Sequence, residues 1–370
     1  MEEINKFVFI DTETTGLLRE DRACQIAYSY NNFKRHYGNS LQTRERVTRN
    51  VMVNPQISIS ADASVTTGIT NSMVMDKELF INTREYKELS LLAKEENTYF
   101  IAYNAPFDMD MLAKDGLDIN PKNVIDLYRV VKHLYKNHTT TDRNDEEIPL
   151  SNNKLQYFRY LFNFDDKQNF KELVKDYGCE GVQAHDALGD IIVLEYFFDY
   201  VVDMFDLSLE EIIELSNKPV LEPNISFGNV FEKGTPFVEC LTTTYEQYGR
   251  VKNGYDYLDW CSSNLSLSVD TEYSIKRHFF NLLIEDKIPY NNKFLKYINF
   301  GLVFETDQDK IEKGLEIIKQ PLEYHQKLIK KFHDNMEKQY EENKNGELGD
   351  FFPFLFLKRF SENYLIEEEN

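Results

Sequence analysis

The chain has 370 residues, 42% of them hydrophobic and 14% aromatic, which predicts a globular protein with one large core or two ordinary ones. Its 42 basic residues stand against 63 acidic ones for a net charge of −21, which argues against a histone-like or polybasic mode of nucleic-acid binding. The acidic amino terminus passes straight into strand-like sequence and no apolar run is long enough to cross a bilayer, so neither a signal peptide nor a membrane span is expected. Cys24, Cys179, Cys240 and Cys261 are widely spaced without a CxxC pair, which predicts reduced thiols in a cytoplasmic protein rather than a zinc site or a disulfide framework.

In chain order, Phe7–Ile10 is an apolar run of strand length that ends in Asp11, Thr12 and Glu13. Strand side chains alternate faces, so Asp11 and Glu13 point the same way and repel unless a cation lies between them. A divalent ion that prefers oxygen, such as Mg²⁺ or Mn²⁺, would serve; a solvated strand end is the alternative. Further strands are expected at 24–30, 47–53, 99–104 and 123–127, and helices at 82–95, 107–114, 154–162 and 185–203. This alternation predicts an α/β fold on a central sheet over residues 1–205. The polar, acidic stretch 137–152 reads as an exposed loop.

Ser208 followed by Glu211 is a capping-box pattern that starts a new helix, and the segment 217–224 with two prolines reads as a linker, so 206–226 is expected to join two parts. Residues 227–370 then form an accessory region, Gly-punctuated to about Trp260 and helix-rich beyond. Within it, Leu328, Ile329 and Phe332 fall at the spacing of an amphipathic surface helix, and the apolar run at 351–357 reads as a packed terminal segment.

Two more acidic sites follow the first. Asp108 lies just inside the predicted helix after Asn104, and His185 precedes Asp190 by five residues, converging best if His185 sits just before its helix with Asp186 as the cap. His133, His138, His278, His325 and His333 show no metal-ligand spacing and are expected at the surface.

Together these segments resemble the motifs of the DEDDh 3′→5′ exonucleases. "DTETTGL" matches DxE at Asp11 and Glu13, "YNAPFD" matches the second motif at Asn104 and Asp108, and "HDALGD" matches HxAxxD at His185, Ala187 and Asp190. The resemblance implies an RNase H-like mixed central sheet flanked by helices. It also implies two Mg²⁺ ions, replaceable by Mn²⁺, held by Asp11, Glu13, Asp108 and Asp190, with Asp11 bridging both and His185 taking the proton from the attacking water. Thr14, Gly16, Leu17 and Asn104 are the implied substrate-binding residues, with backbone amides at 14–16 on the terminal nucleotide and Leu17 wedged against the last base. Thr67 and Tyr103 stand where the family often has histidines.

The second half resembles the carboxy-terminal module of exonuclease-X-like proteins through "ISFGN" and "YLDW", with Asn229 in place of the usual lysine. The expectation is therefore a 3′→5′ exonuclease acting on single-stranded DNA or DNA 3′ ends and releasing 5′-mononucleotides. RNA 3′-end trimming is the first alternative, and a catalytically silent nucleic-acid-binding or partner-binding protein on the same fold is the second. Substrate handling and recruitment of a protein partner both stay open for residues 227–370.

Overall fold

The structure is a computed structural model that describes residues 5–32, 46–136, 138–141 and 146–319. The chain divides into two compact units, residues 1–218 and 219–370. Among the described residues no helix is long and apolar enough to cross a membrane. The predicted amphipathic helix at 322–344 and the apolar run at 351–357 lie outside the described residues.

The first unit is built on β1 (Lys6–Thr14), β2 (Ala23–Asn32), β3 (Val47–Met52), β4 (Thr98–Ala102) and β5 (Val124–Asp126), in the spatial order β3-β2-β1-β4-β5. The first three strands are antiparallel and β4 and β5 run parallel to β1, giving an RNase H-like mixed sheet. Helices are α1 (Ala61–Thr67), α2 (Asn71–Val74), α3 (Arg84–Leu92), α4 (Ala105–Lys114), α5 (Leu127–Leu134), α6 (Leu155–Leu161), α7 (Gln168–Asp176), α8 (Ala187–Phe205) and α9 (Leu209–Asn217).

Alternation along β1 decides which layer each residue serves. Phe7 and Phe9 face the core made with α5 to α9, whereas Val8 and Ile10 face the core made with α3 and α4. The strand does not stop at Ile10 but stays paired through both acids, Asp11 opposite Ala27 and Glu13 opposite Gln25. By the same alternation, Asp11 and Glu13 fall on the α8 side and Thr12 on the α4 side. α8 is buried over most of its 19 residues because it spans the sheet under the aromatic layer.

Two expectations are corrected here. The acidic stretch after 137 carries a hairpin, β6 (Thr139–Thr141) with β7 (Glu147–Pro149), where Thr140 pairs with Ile148. The capping-box helix α9, read from sequence as the start of the linker segment, is a packed part of the first unit. Ile212 is buried in the α5–α8 core, and Ser216 Oγ accepts the Asp126 N–H at 2.8 Å.

The second unit has α10 (Phe237–Thr242), the hairpin β8 (Thr244–Gln247) and β9 (Arg250–Asn253), then α11 (Gly254–Asn264), α12 (Val269–Ile284), α13 (Leu295–Phe304) and α14 (Gln308–Lys319). Its core centres on Phe279 stacked on Tyr297 at 4.0 Å, and Gly301 lets α13 approach α12 because a Cβ there would lie 2.0 Å from the Phe280 ring. The "ISFGN" and "YLDW" segments meet: Gly228, at φ +82°, sits against the Tyr257 hydroxyl. His278 is not a surface residue but stacks on Phe237 at 5.1 Å with Nε2 2.9 Å from the Glu222 carbonyl, and burial lowers its pKa.

Candidate active site

Asp11, Glu13 and Asp190 bring carboxylate oxygens within 4.8 Å of one another. Asp11 and Glu13 arrive from β1 and Asp190 from the first turn of α8. Asp108, on the first turn of α4, stands next to this group from the other face of the sheet. Its Oδ1 accepts the Thr12 N–H at 2.9 Å and the Thr12 hydroxyl at 2.8 Å, so the residue between the two β1 acids anchors the fourth one.

Every one of these acids is pushed upward. Burial is the main cause for Glu13, raised to about 8 with help from Asp190, Asp186 and Asp108. Asp11 lies well above the usual carboxylate range through burial and then repulsion by Asp108, Asp190 and Glu13. Burial lifts Asp108 to about 7 against the lowering pull of the Thr12 hydrogen bonds. Asp190 rises to about 6, burial again leading, with Gln156 and His185 opposing. An all-oxygen donor set whose members resist ionisation together fits a divalent cation, which would relieve both the repulsion and the desolvation.

His185 lies outside α8, as convergence requires. It occupies a left-handed turn at φ +59° and donates its backbone N–H to Asp190 Oδ2 at 3.2 Å. Asp186 is the helix cap, accepting from the Gly189 N–H at 3.1 Å. Gly189 is required because a Cβ there would sit 2.1 Å from the Gln183 carbonyl oxygen. The buried Gln25 of β2 ties this turn to the sheet through Asp186 Oδ1 at 2.8 Å.

Of the four acids, Asp11 and Asp190 open on a cleft of about 550 Å³, lined also by His185, Asn104, Tyr128 and Tyr157, among others. Asn104 reaches it from a left-handed position before α4, its N–H held by Asp126 Oδ1 at 3.0 Å. Lys154 is the one lysine or arginine on the described wall. Thr14, Gly16 and Leu17 are not among the cleft-lining residues and form the turn after β1. Thr14 Oγ1 donates to the Gly16 carbonyl at 2.7 Å, and Leu17 and Leu18 are 86% and 65% exposed. Asp21 shapes this turn by accepting from Thr15 Oγ1 and the Leu18 N–H, both at 2.6 Å, and a Cβ on Gly16 would collide with it at 2.5 Å.

Sequence reasoning did not find Gln25, Asp21, Gln156 or Lys154. Gln25 and Asp186 are 161 positions apart, and no local pattern joins them.

The model of the RNase T exonuclease family matches residues 8–198, which contain all four acids and His185. The chain belongs to the RNase T exonuclease family. No curated protein matches it. Among solved structures, it is similar to exonuclease X in complex with 5′-overhanging duplex DNA, at 18% identity and a TM-score of 0.39 over 57% of this chain and 99% of that one. It is also similar to Escherichia coli exonuclease I in complex with a dT13 oligonucleotide, at 13% identity and a TM-score of 0.38 over 97% and 99%. For exonuclease I from Methylocaldum szegediense the values are 13% and 0.42 over 86% and 71%. As a member of the RNase T exonuclease family, the protein is a metal-dependent nuclease that acts on nucleic acid.

Proposed function

We propose that the protein is a DEDDh-type 3′→5′ exonuclease that removes nucleotides one at a time from DNA 3′ ends and releases 5′-mononucleotides. The observation that carries this reading is the convergence of Asp11, Glu13 and Asp190 within 4.8 Å at a cleft that His185 also lines. Two Mg²⁺ ions held by these acids and Asp108 would supply charge neutralisation at the scissile phosphate, and Mn²⁺ would substitute.

The chain's own groups account for the rest. His185 stands at the exposed rim, where an imidazole can take a proton from water and return it to solvent. Its backbone bond to Asp190 ties the turn that carries His185 to the acid cluster. Asn104 and Lys154 offer a hydrogen-bonding amide and a cation to the terminal nucleotide, and the tyrosines of the wall offer faces on which bases stack. The family resemblance assigns Leu17, exposed on the turn after β1, to the last base. The preference for DNA rests on the resemblance of the Gly228 and Tyr257 segments to the exonuclease X module.

The test is digestion of 5′-labelled single-stranded DNA and RNA of the same sequence, with Mg²⁺, with Mn²⁺ and in EDTA. The expected result is a ladder shortening from the 3′ end, faster on DNA, that disappears in EDTA. Internal cuts, shortening from the 5′ end, or equal rates on RNA would each overturn the corresponding part of the reading.

A further inference from the structure

We propose that Gln156 is a positioning residue that sets the orientation of the Asp190 carboxylate for metal binding, with Arg159 and Asp165 as its anchor. This inference rests on the reading of Asp190 as a metal ligand.

Gln156 and Arg159 lie one turn apart on α6, which packs against α8. The Gln156 amide Nε2 donates to Asp190 Oδ1, while its Oε1 accepts from Arg159 Nη1 at 3.2 Å. Arg159 is only 6% exposed and grips Asp165 with two parallel bonds, Nε to Oδ2 at 2.9 Å and Nη2 to Oδ1 at 2.7 Å. Its Nη2 also donates to the Val182 carbonyl at 3.2 Å.

The chemistry of the groups fixes the direction of this chain. A guanidinium can only donate, so the amide must turn its oxygen to Arg159 and its NH₂ to Asp190. Asp190 Oδ2 in turn accepts the His185 N–H, so both oxygens of the carboxylate are held by donors from opposite sides, one on α6 and one before α8. A carboxylate clamped at both ends keeps the rotation that brings it within 4.8 Å of Asp11 and Glu13. Without Gln156 the carboxylate is held at Oδ2 alone, by the His185 N–H, so its Oδ1 end is no longer fixed, and the Arg159 Nη1 donor loses its acceptor. Hydrogen-bonded partners that orient a ligand are commonly worth about 10- to 100-fold in metal affinity.

A plain helix-to-helix tie predicts something different, namely lost stability with metal binding unchanged in whatever remains folded. The experiment therefore reads Mn²⁺ binding by calorimetry on the full chain, melting temperature in EDTA, and the metal concentration for half-maximal cleavage. Gln156→Met keeps the volume and removes both polar ends. It is expected to weaken Mn²⁺ binding about 10- to 100-fold, to raise the half-maximal metal concentration in step, and to recover most of its rate at saturating metal. Arg159→Lys, which lacks the fork and releases the amide to flip, is expected to act in the same direction. The double variant should be no worse than Gln156→Met, because both act through one path. Should Gln156→Met fold poorly, Gln156→Asn, one methylene too short to span Arg159 and Asp190, must show the same weakened binding. Wild-type Mn²⁺ affinity in folded Gln156→Met or Gln156→Asn overturns the inference, provided Asp190→Asn binds weakly. If Asp190→Asn itself binds Mn²⁺ like wild type, the metal-ligand reading of Asp190 fails instead.

Discussion

At the scale of single residues, the acids of the cluster carry a cost that shows in the protein's response to pH. Glu13 is held near about 8 against an ordinary value of 4.5, so the folded chain binds a proton more tightly than the unfolded one between those limits. The stability from that proton is fully present below about 4.5 and is lost as pH rises through about 8. Asp11, Asp108 and Asp190 shift in the same direction. In EDTA the melting temperature is therefore expected to fall across this window, and saturating Mg²⁺ should flatten the fall, since the cation binds the ionised acids. A melting temperature in EDTA that rises over the same window would contradict the cluster's electrostatics. Asp11→Asn removes one of the charges. It should abolish cleavage while leaving the melting temperature in EDTA at neutral pH equal to or above that of the wild type. His185→Asn is the complementary probe, because asparagine tolerates the left-handed backbone at φ +59°. It should lower the cleavage rate by about 10²- to 10⁴-fold with Mn²⁺ binding retained, and a loss of metal binding would place His185 in the metal site instead.

At the scale of elements, the parts of the site that were legible in the sequence are those where a local period carries the information. Alternation along β1 puts Asp11 and Glu13 on one face, and the step from Asp186 to Asp190 across a helix start follows from capping chemistry. What was illegible depends on long-range closure. α1 buries none of its residues, so it leaves no amphipathic stripe to detect, and the hairpin β6–β7 pairs three threonines with Glu147, Ile148 and Pro149, strands too short for any period to announce them. Gln156, Gln25 and Asp21 act through side-chain bonds that no periodicity announces. Gly189 illustrates the difference: the sequence shows a glycine in a helix's first turn, where alanine would ordinarily improve the helix by up to about 1 kcal/mol. In the structure its missing Cβ is the space occupied by the Gln183 carbonyl, 2.1 Å away from where that atom would be. Gly189→Ala must push the 183–186 turn outward and carry His185 with it. The expectation is a destabilisation of about 1–3 kcal/mol together with a disproportionate loss of cleavage; a variant as stable and active as wild type would show the turn to be free to move.

At the scale of the whole molecule, the boundary between the units decides which truncations keep the chemistry. The proline-bearing segment after Asn217 and the capping box at Ser208 both look like punctuation in the sequence, yet only the first falls at the edge of the compact unit that ends at Lys218. α9 carries a connection from that edge into the cleft. Ile212 is 1% exposed in the core beside α5, worth about 1.5–3 kcal/mol of burial on its own. Ser216 Oγ accepts the Asp126 N–H, and Asp126 Oδ1 in turn holds the N–H groups of Asn104 and Tyr128, two cleft residues. A chain ending at Phe205 loses α9, leaves the Asp126 N–H without its acceptor and loosens the turn that presents Asn104. A chain ending at Lys218 keeps all of it. The two truncations should therefore differ: residues 1–218 melt cooperatively and hydrolyse a short oligonucleotide with metal, whereas residues 1–205 melt lower or precipitate and bind the oligonucleotide more weakly. Equal melting temperatures and equal rates for the two would show that α9 contributes nothing to the site. A folded 1–218 chain without metal-dependent hydrolysis would assign part of the chemistry to residues beyond Lys218, and Trp260, the chain's single tryptophan and 53% exposed, would then report by its emission whether that part meets the nucleic acid.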